Sequence, residues 1–439
     1  MKKRTFTTTA LFIAVSAWAT AQTLTLQRCL EKGLENNFSL RISRNQEQVA
    51  HNNATLANAG YLPEVDLNAG YNASLANSDS KLRATGETTE MRNSLDQATT
   101  AGIAVNWTIF DGFGISTSYR QLKELERMGE INTRITLEDF IAGLTAEYYN
   151  FIHQKLRLEN YYYAVILSKE RLRIVEERYN IGNFSRLDYQ QAKVDFNADS
   201  AQYIKQQEIV LTSRIALNEM MAIDQVYTPI ETSEKTIVAD TALQFGQLWE
   251  RMLASNANLL MAQGNNTLAE LDYKKVLSRN YPYVKLKAGY DYSFNKYDTN
   301  SYTHRSNWGG TAGITIGFNL WDGNRRREKK NAKIGIENAR LQRDQLELSL
   351  KADLGNLWQA YRNNIQLLNL ERQNAVTAKE NHDIAKERYM LGDISGLEMR
   401  EAQKSLLDAE ERLLSVEYNT KICEISLMLI SGDISTYLE

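Results

Sequence analysis

The chain has 439 residues, 24% of them charged, a formal net charge of -3 and two cysteines. That length allows two or three ordinary domains or one large repeated unit, and the mild acidity argues against a nucleic-acid partner. Cys29 and Cys423 make no disulfide scaffold, so buried thiols are the simpler reading.

The chain opens MKKRTFTTTALFIAVSAWATA, with a basic start, an apolar core from Ala10 to Trp18 and small residues at Ala19 and Ala21. This is the pattern of an export signal over residues 1–21, with a mature chain from Gln22 and net charge -6 once Lys2, Lys3 and Arg4 are removed. No cysteine follows the cleavage site, so the signal is not of the lipoprotein kind. Beyond it no run of 18 apolar residues occurs, which excludes a spanning helix and leaves a β-barrel as the only way into a membrane.

From Gln22 a helix is predicted to residue 60, then Pro63 precedes a period-two stretch in which Val65, Leu67, Ala69, Tyr71, Ala73 and Leu75 share one face. Ile103, Val105, Trp107 and Ile109 alternate in the same way, so strands are predicted at 64–75 and 99–110, joined by a polar loop around Ala76 to Gln97. A long helical hairpin follows over 111–222 with its tip at 180–186, completing a first repeat, 22–222. After a linker at 223–245 the order returns: a helix at 246–280, strands at 283–295 and 308–321, and a hairpin at 322–432 with its tip at 390–396. This second repeat, 246–439, is written almost in register with the first: Leu34, Asn37, Leu40 and Pro63 return at Leu253, Asn256, Leu259 and Pro282.

Within the hairpins a row of positions three or four apart is apolar at nine of its eleven places in each repeat. Leu144, Tyr148, Phe151, Leu158, Tyr162, Val165, Leu172, Val175 and Tyr179 form one narrow seam, and Leu354, Trp358, Tyr361, Ile365, Leu368 and Tyr389 mark its copy. Helices of roughly 70 residues reach about 100 Å, which no compact globule needs.

The tips carry a repeated phrase, ERYNIGNFSRLD from Glu177 and ERYMLGDISGLE from Glu387. Gly182 and Gly392 suit the left-handed position that ends a helix, while Ser185 and Ser395 cap the next one, with Asp188 and Glu398 completing capping boxes. Glu398 and Glu401 lie one turn apart, so several copies in a ring would make a cation-favouring collar. The competing reading is that Glu398 only caps its helix and Glu401 is solvated.

Other motifs point away from catalysis. Gly112 to Ser116 reads GFGIS, an incomplete nucleotide-loop pattern without a parallel sheet behind it. His51, His153, His304 and His382 are dispersed, no metal-ligand spacing occurs, and no serine sits in a nucleophile elbow, so neither enzyme activity, metal nor cofactor is expected. Arg325, Arg326, Arg327, Lys329 and Lys330 directly follow a membrane-type strand, where lipid headgroups explain them better than nucleic acid.

The duplicated tips, the junctions IFDG and LWDG, and the strand starts YLPEVDLNAGY and YPYVKLKAGY resemble the TolC-like outer-membrane efflux proteins over essentially the whole mature chain. The resemblance implies a mainly α fold with membrane β: long antiparallel hairpins in a periplasmic α-barrel, and a homotrimer whose chains each give four strands to one twelve-stranded outer-membrane barrel. It implies a passive exit duct that docks a periplasmic adaptor and an inner-membrane transporter. A periplasmic coiled-coil adaptor or scaffold is the alternative; it would lack the paired amphipathic strands. By position, Glu398 and Glu401 match two aspartates ringing the family's periplasmic entrance, and Tyr389 and Asp188 match members of a closing network. That network's arginine is absent: its position holds Ile394, and Phe184 stands there in the first half, so an apolar or tyrosine-based latch is expected.

Overall fold

The computed structural model describes residues 22–183, 185–298 and 302–438. The expected export signal and Phe184 lie outside the described residues. In chain order the elements are β1 (Gln22–Leu24), α1 (Leu26–Asn36), α2 (Phe38–Asn53), α3 (Leu56–Ala59), β2 (Glu64–Lys81), β3 (Thr88–Phe110), α4 (Gly114–Asn180) and α5 (Arg186–Met220). The second half gives β4 (Ile230–Thr232), α6 (Phe245–Ser255), α7 (Ala257–Ser278), β5 (Tyr283–Lys296), β6 (His304–Gly317), α8 (Gly323–Leu391) and α9 (Gly396–Ser431), closed by a 3-10 turn at Ile434–Leu438.

Four antiparallel strands form one sheet in the order β2-β3-β5-β6. Its register carries the period-two pattern across the strands: Val65 faces Val105, Leu67 faces Ile103, Ile103 faces Tyr290 and Leu286 faces Ile314. One face is therefore largely apolar, interrupted by Thr99, Gln97 and Ser306 toward the loop end, and it is open: Leu67 is 80% exposed, Ile314 66% and Ile316 73%. Asp66, Asn68, Lys285, Lys287 and Asp291 occupy alternate positions along the strands, on the opposite face. Among the described residues only β3 and β5 are paired on both sides, so β2 and β6 each present an unpaired edge in the single chain.

The strands differ from the sequence-based bounds in two ways. The polar segment expected as a loop is largely ladder, because β2 runs on to Lys81 opposite Thr88, with an irregularity between Ala76 and Ser78. Ladder bonds are made by backbone, so pairing persists after the apolar alternation stops. In the second half the expected strand at 308–321 sits instead at His304–Gly317. Gly317 pairs with Tyr283, and the next partner would be Pro282, which has no N–H to donate.

The two helices expected at 22–60 and 246–280 are each interrupted. Asn37 ends α1 and caps α2, its Oδ1 accepting from Ser39 and Leu40 N–H, while its Nδ2 donates to the Met220 carbonyl at 3.2 Å. Asn256 repeats the device, accepting from Leu259 N–H and donating to the Ile430 carbonyl at 2.9 Å. Both asparagines fasten the broken helix to the far end of a long hairpin, a tertiary contact that helix periodicity does not reveal.

Around these breaks lies the main core. Cys29, Leu30, Leu40, Phe140, Leu144, Tyr148, Phe151, Leu217, Met221 and Ile434 pack together, and Leu248, Met252, Leu354, Tyr361 and Leu427 form its counterpart. The parallel pair β1-β4 ties the linker to the chain start here. Both cysteine thiols are free, and burial pushes that of Cys29 up to about 12. A buried ion pair also sits here: Lys421 Nζ is 2.7 Å from Glu424 Oε1, which accepts from Tyr437 O–H at 2.6 Å, while Glu424 Oε2 accepts from Asp240 N–H.

From the core the hairpins run away from the sheet. Packing of α4 on α5, α8 on α9 and α4 on α9 sets the helices side by side in the order α5-α4-α9-α8. At the sheet end, Asp111 and Gly112 turn β3 into α4: Asp111 Oδ1 accepts from Ile115 N–H at 2.9 Å and Gly112 has φ +72°. A Cβ on Gly112 would collide with the Ser278 carbonyl oxygen. Gly112→Ala is expected to destabilise by at least about 1–3 kcal/mol, whereas Gly335→Ala, in open space within α8, is expected to stabilise by about 0.5–1 kcal/mol. Thermal unfolding of the two variants checks the opposite signs.

Candidate functional site at the hairpin tips

The two tips are built alike. In the first, Gly182 (φ +81°) follows α4, and the N–H groups of Gly182 and Asn183 close on the carbonyls of Tyr179 and Arg178. In the second, Gly392 (φ +86°) does the same with Tyr389 and Arg388. Left-handed backbone at the helix end costs glycine little, which is why both phrases keep it.

The next helices start on full capping boxes. Ser185 Oγ accepts from Asp188 N–H while the Asp188 carboxylate accepts from Ser185 N–H at 3.1 Å. Ser395 and Glu398 repeat this, Glu398 Oε2 accepting from Ser395 N–H at 2.7 Å and from its hydroxyl at 2.8 Å. Those donors hold the Glu398 carboxyl below its ordinary pKa of 4.5. Glu398 and Glu401 are exposed, Ile394 is half-buried, and Tyr389 is only 2% exposed.

The tips also touch each other. Arg178, on the last turn of α4, donates from Nη2 to the carbonyls of Met390 at 3.1 Å and Tyr389 at 3.3 Å. Its guanidinium lies 5.4 Å from the centre of the Tyr389 ring. A cation thus sits at the negative end of α8, and the contact joins the first hairpin to the second. The Tyr389 hydroxyl is buried and has no hydrogen-bond partner among the described residues, and burial raises its pKa despite the nearby Arg178.

Above the tips a second cross-link joins three helices. Arg171 Nη2 on α4 is 2.5 Å from Asp195 on α5, and Arg400 on α9 reaches Asp199 at 2.9 Å and Asp195 at 3.8 Å. Beside it runs a groove of about 1030 Å³ lined by Leu167, Ile174, Phe196, Met390 and Met399.

Sequence reading found the glycines, the caps and Tyr389, but not Arg178, Arg171, Asp195, Asp199 or Arg400. The repeated Glu-Arg-Tyr at both tips was the available signal. Its two arginines look equivalent in sequence and both backbone carbonyls close their own turns, yet of the two only the Arg178 side chain donates across to the other tip among the described residues.

The model of the outer membrane efflux protein family matches residues 29–222 and 248–433. The chain belongs to that family. Outer membrane protein TolC of Vibrio cholerae serotype O1 is 21% identical over 413 residues, 91% of this chain and 89% of that protein. Among solved structures, VceC of Vibrio cholerae matches with a TM-score of 0.74 at 17% identity, covering 93% of this chain and 96% of that one. The Campylobacter jejuni CmeC outer membrane channel matches with a TM-score of 0.77 at 16% identity, covering 93% and 85%. These likenesses carry the fold, and the family carries the role. This outer membrane efflux protein is a passive exit duct of an efflux system, set in the outer membrane with a periplasmic extension. Trimeric assembly and efflux partners in general go with that membership. A scaffold lacking a membrane barrel accounts for neither the sheet nor the family match.

Because the folded-state pKa of Glu398 is depressed, its cap contributes fully above 4.5 and is lost as pH falls through the lower folded value. Amide exchange at Ser395 and Glu398, the two N–H groups of the capping box, is expected to accelerate in that acid window once the intrinsic pH dependence is removed. In Glu398→Ala the same amides should exchange fast at every pH.

Proposed function

We propose that the paired tips form the periplasmic entrance and that Arg178 holds it shut at rest. One observation carries this reading: the Arg178 guanidinium on the last carbonyls of α8 is a direct fastening between the tips of the two repeats. It performs, from the first hairpin, the task for which the second hairpin offers only Ile394. Half-buried Ile394 and the Tyr389 ring supply the apolar part of the latch, and Asp188 keeps the first tip folded through its cap. Glu398 and Glu401 are exposed and one turn apart, and the Glu398 cap uses only Oε2. Three copies would therefore ring the entrance with carboxylates and favour cations.

The remaining assignments follow. The unpaired edges of β2 and β6 support closure of the barrel by neighbouring copies in a homotrimer embedded in outer-membrane lipid. The groove beside α4 supports docking of a helical hairpin from a periplasmic adaptor, which would link the duct to an inner-membrane transporter. We read residues 1–21 as the export signal, 22–222 and 246–439 as the repeats, and 223–245 as the linker between them.

Single-channel conductance in planar bilayers tests the clasp. Two hydrogen bonds from a charged donor are worth about 1.5–3 kcal/mol each, so Arg178→Ala should raise the open population by about tenfold or more. Ile394→Ala should raise it less. Tyr389→Phe should leave it unchanged, because the hydroxyl has no hydrogen-bond partner among the described residues. An Arg178→Ala channel as closed as the parent would sink the reading.

A further inference from the structure

Just past β6 the apolar row of the sheet continues off the ladder. Ile316 is followed by Phe318, Leu320 and Trp321, and the last two are 87% and 84% exposed. Helix α8 begins two residues later with Arg325, Arg326, Arg327, Glu328, Lys329 and Lys330. Two members of this run are spent on architecture. Arg325 donates to the Asn319 carbonyl at 3.0 Å and to Asn280 Oδ1 at 3.3 Å, and Glu328 pairs with Arg279 at 2.6 Å. Arg326, Arg327, Lys329 and Lys330 are exposed and make no hydrogen bond or ion pair among the described residues.

The turn itself does not require these charges. At the matching junction of the first repeat, the strand also passes through Asp-Gly into a long helix, and residues Gly114 to Tyr119 carry no charge. Four cations at the positive end of a 69-residue helix oppose its dipole and repel one another, a cost that only an external anion offsets. Their neighbours define which anion. Leu320 and Trp321 offer an acyl-chain contact at the foot of a membrane sheet, where aromatic side chains mark the headgroup level.

We propose that Leu320, Trp321, Arg326, Arg327, Lys329 and Lys330 form one binding site per subunit for an anionic phospholipid, in the leaflet facing the helical end. The cations hold the headgroup phosphate and the apolar pair packs on its chains. This rests on the reading of the sheet as membrane-spanning. The site anchors the foot of the barrel at one side of each subunit only, since the first repeat lacks it.

The test uses the full-length trimer, purified from nanodiscs containing equal phosphatidylglycerol and phosphatidylcholine, with retained lipids counted by native mass spectrometry. The parent should retain phosphatidylglycerol selectively, and the quadruple variant Arg326→Gln, Arg327→Gln, Lys329→Gln, Lys330→Gln should lose it by about tenfold or more. Added inorganic phosphate should not displace it, because Trp321→Ala and Leu320→Ala should weaken retention too. Equal retention of both lipids by the parent, or unchanged retention by the quadruple variant, overturns the proposal. So does a variant whose trimer falls apart, which would mean the cations pair with a neighbouring subunit. Conductance of the variant in a planar bilayer separates the two readings: a conducting channel without lipid selectivity refutes the site alone, and a parent that forms no channel refutes the membrane reading beneath it.

Discussion

Unpaired backbone at the sheet edges constrains everything else in this molecule. β2 and β6 each have one side without a ladder, and the apolar face between them is made for hydrocarbon. In lipid no water satisfies those N–H and C=O groups, so the sheet is complete only when other copies close it. A closed ring of strands dictates a ring of whatever follows the strands. Since both outgoing strands turn through Asp-Gly into helices of 67 and 69 residues, the ring continues as a helical tube.

A tube of such length cannot rely on one core. Away from the core the long helices lie side by side, so each has only a narrow buried stripe, and polar links supplement apolar packing. Lys421 and Glu424 with Tyr437 and Asp240 form such a link in the main core, and Arg171 and Arg400 with Asp195 and Asp199 form one near the tips. Removing one partner of such a pair strands a buried charge, so these links fix register more than they add stability. His153 is buried without such a link: neither ring nitrogen has a hydrogen-bond partner among the described residues, it stacks on Tyr418 at 4.8 Å, and burial with nearby Arg157 lowers its pKa to about 4, keeping it neutral.

Legibility in the sequence followed the range of the interactions. The alternation at Val65 to Leu75, the seam from Leu144 to Tyr179 and the caps at Ser185 and Ser395 are local patterns, and each marks its element correctly. Where the deciding partner is distant, the reading failed. Asn37 and Asn256 were visible as repeated positions, but their bonds to Met220 and Ile430 lie 183 and 174 residues away, so a helix break looked like helix. The strand ends failed for a related reason. Ser78 to Lys81 pair with Thr88 to Met91 through backbone alone, which leaves no side-chain period to read.

The tips show why duplication does not mean equivalence. Both phrases fold into the same turn, with the same glycine conformation and the same capping box, because those features need only neighbours within the phrase. What differs is the contact between copies. Once the two hairpins lie side by side, the arginine side chain of the first Glu-Arg-Tyr donates hydrogen bonds to the carbonyls that end α8, and that of the second makes no such bond to the other tip among the described residues. A repeated sequence thus yields an asymmetric clasp, and the asymmetry recurs at the opposite end, where only the second junction is basic. Gene-scale repetition built the tube, and single residues that break the repeat give each end of it a distinct chemistry.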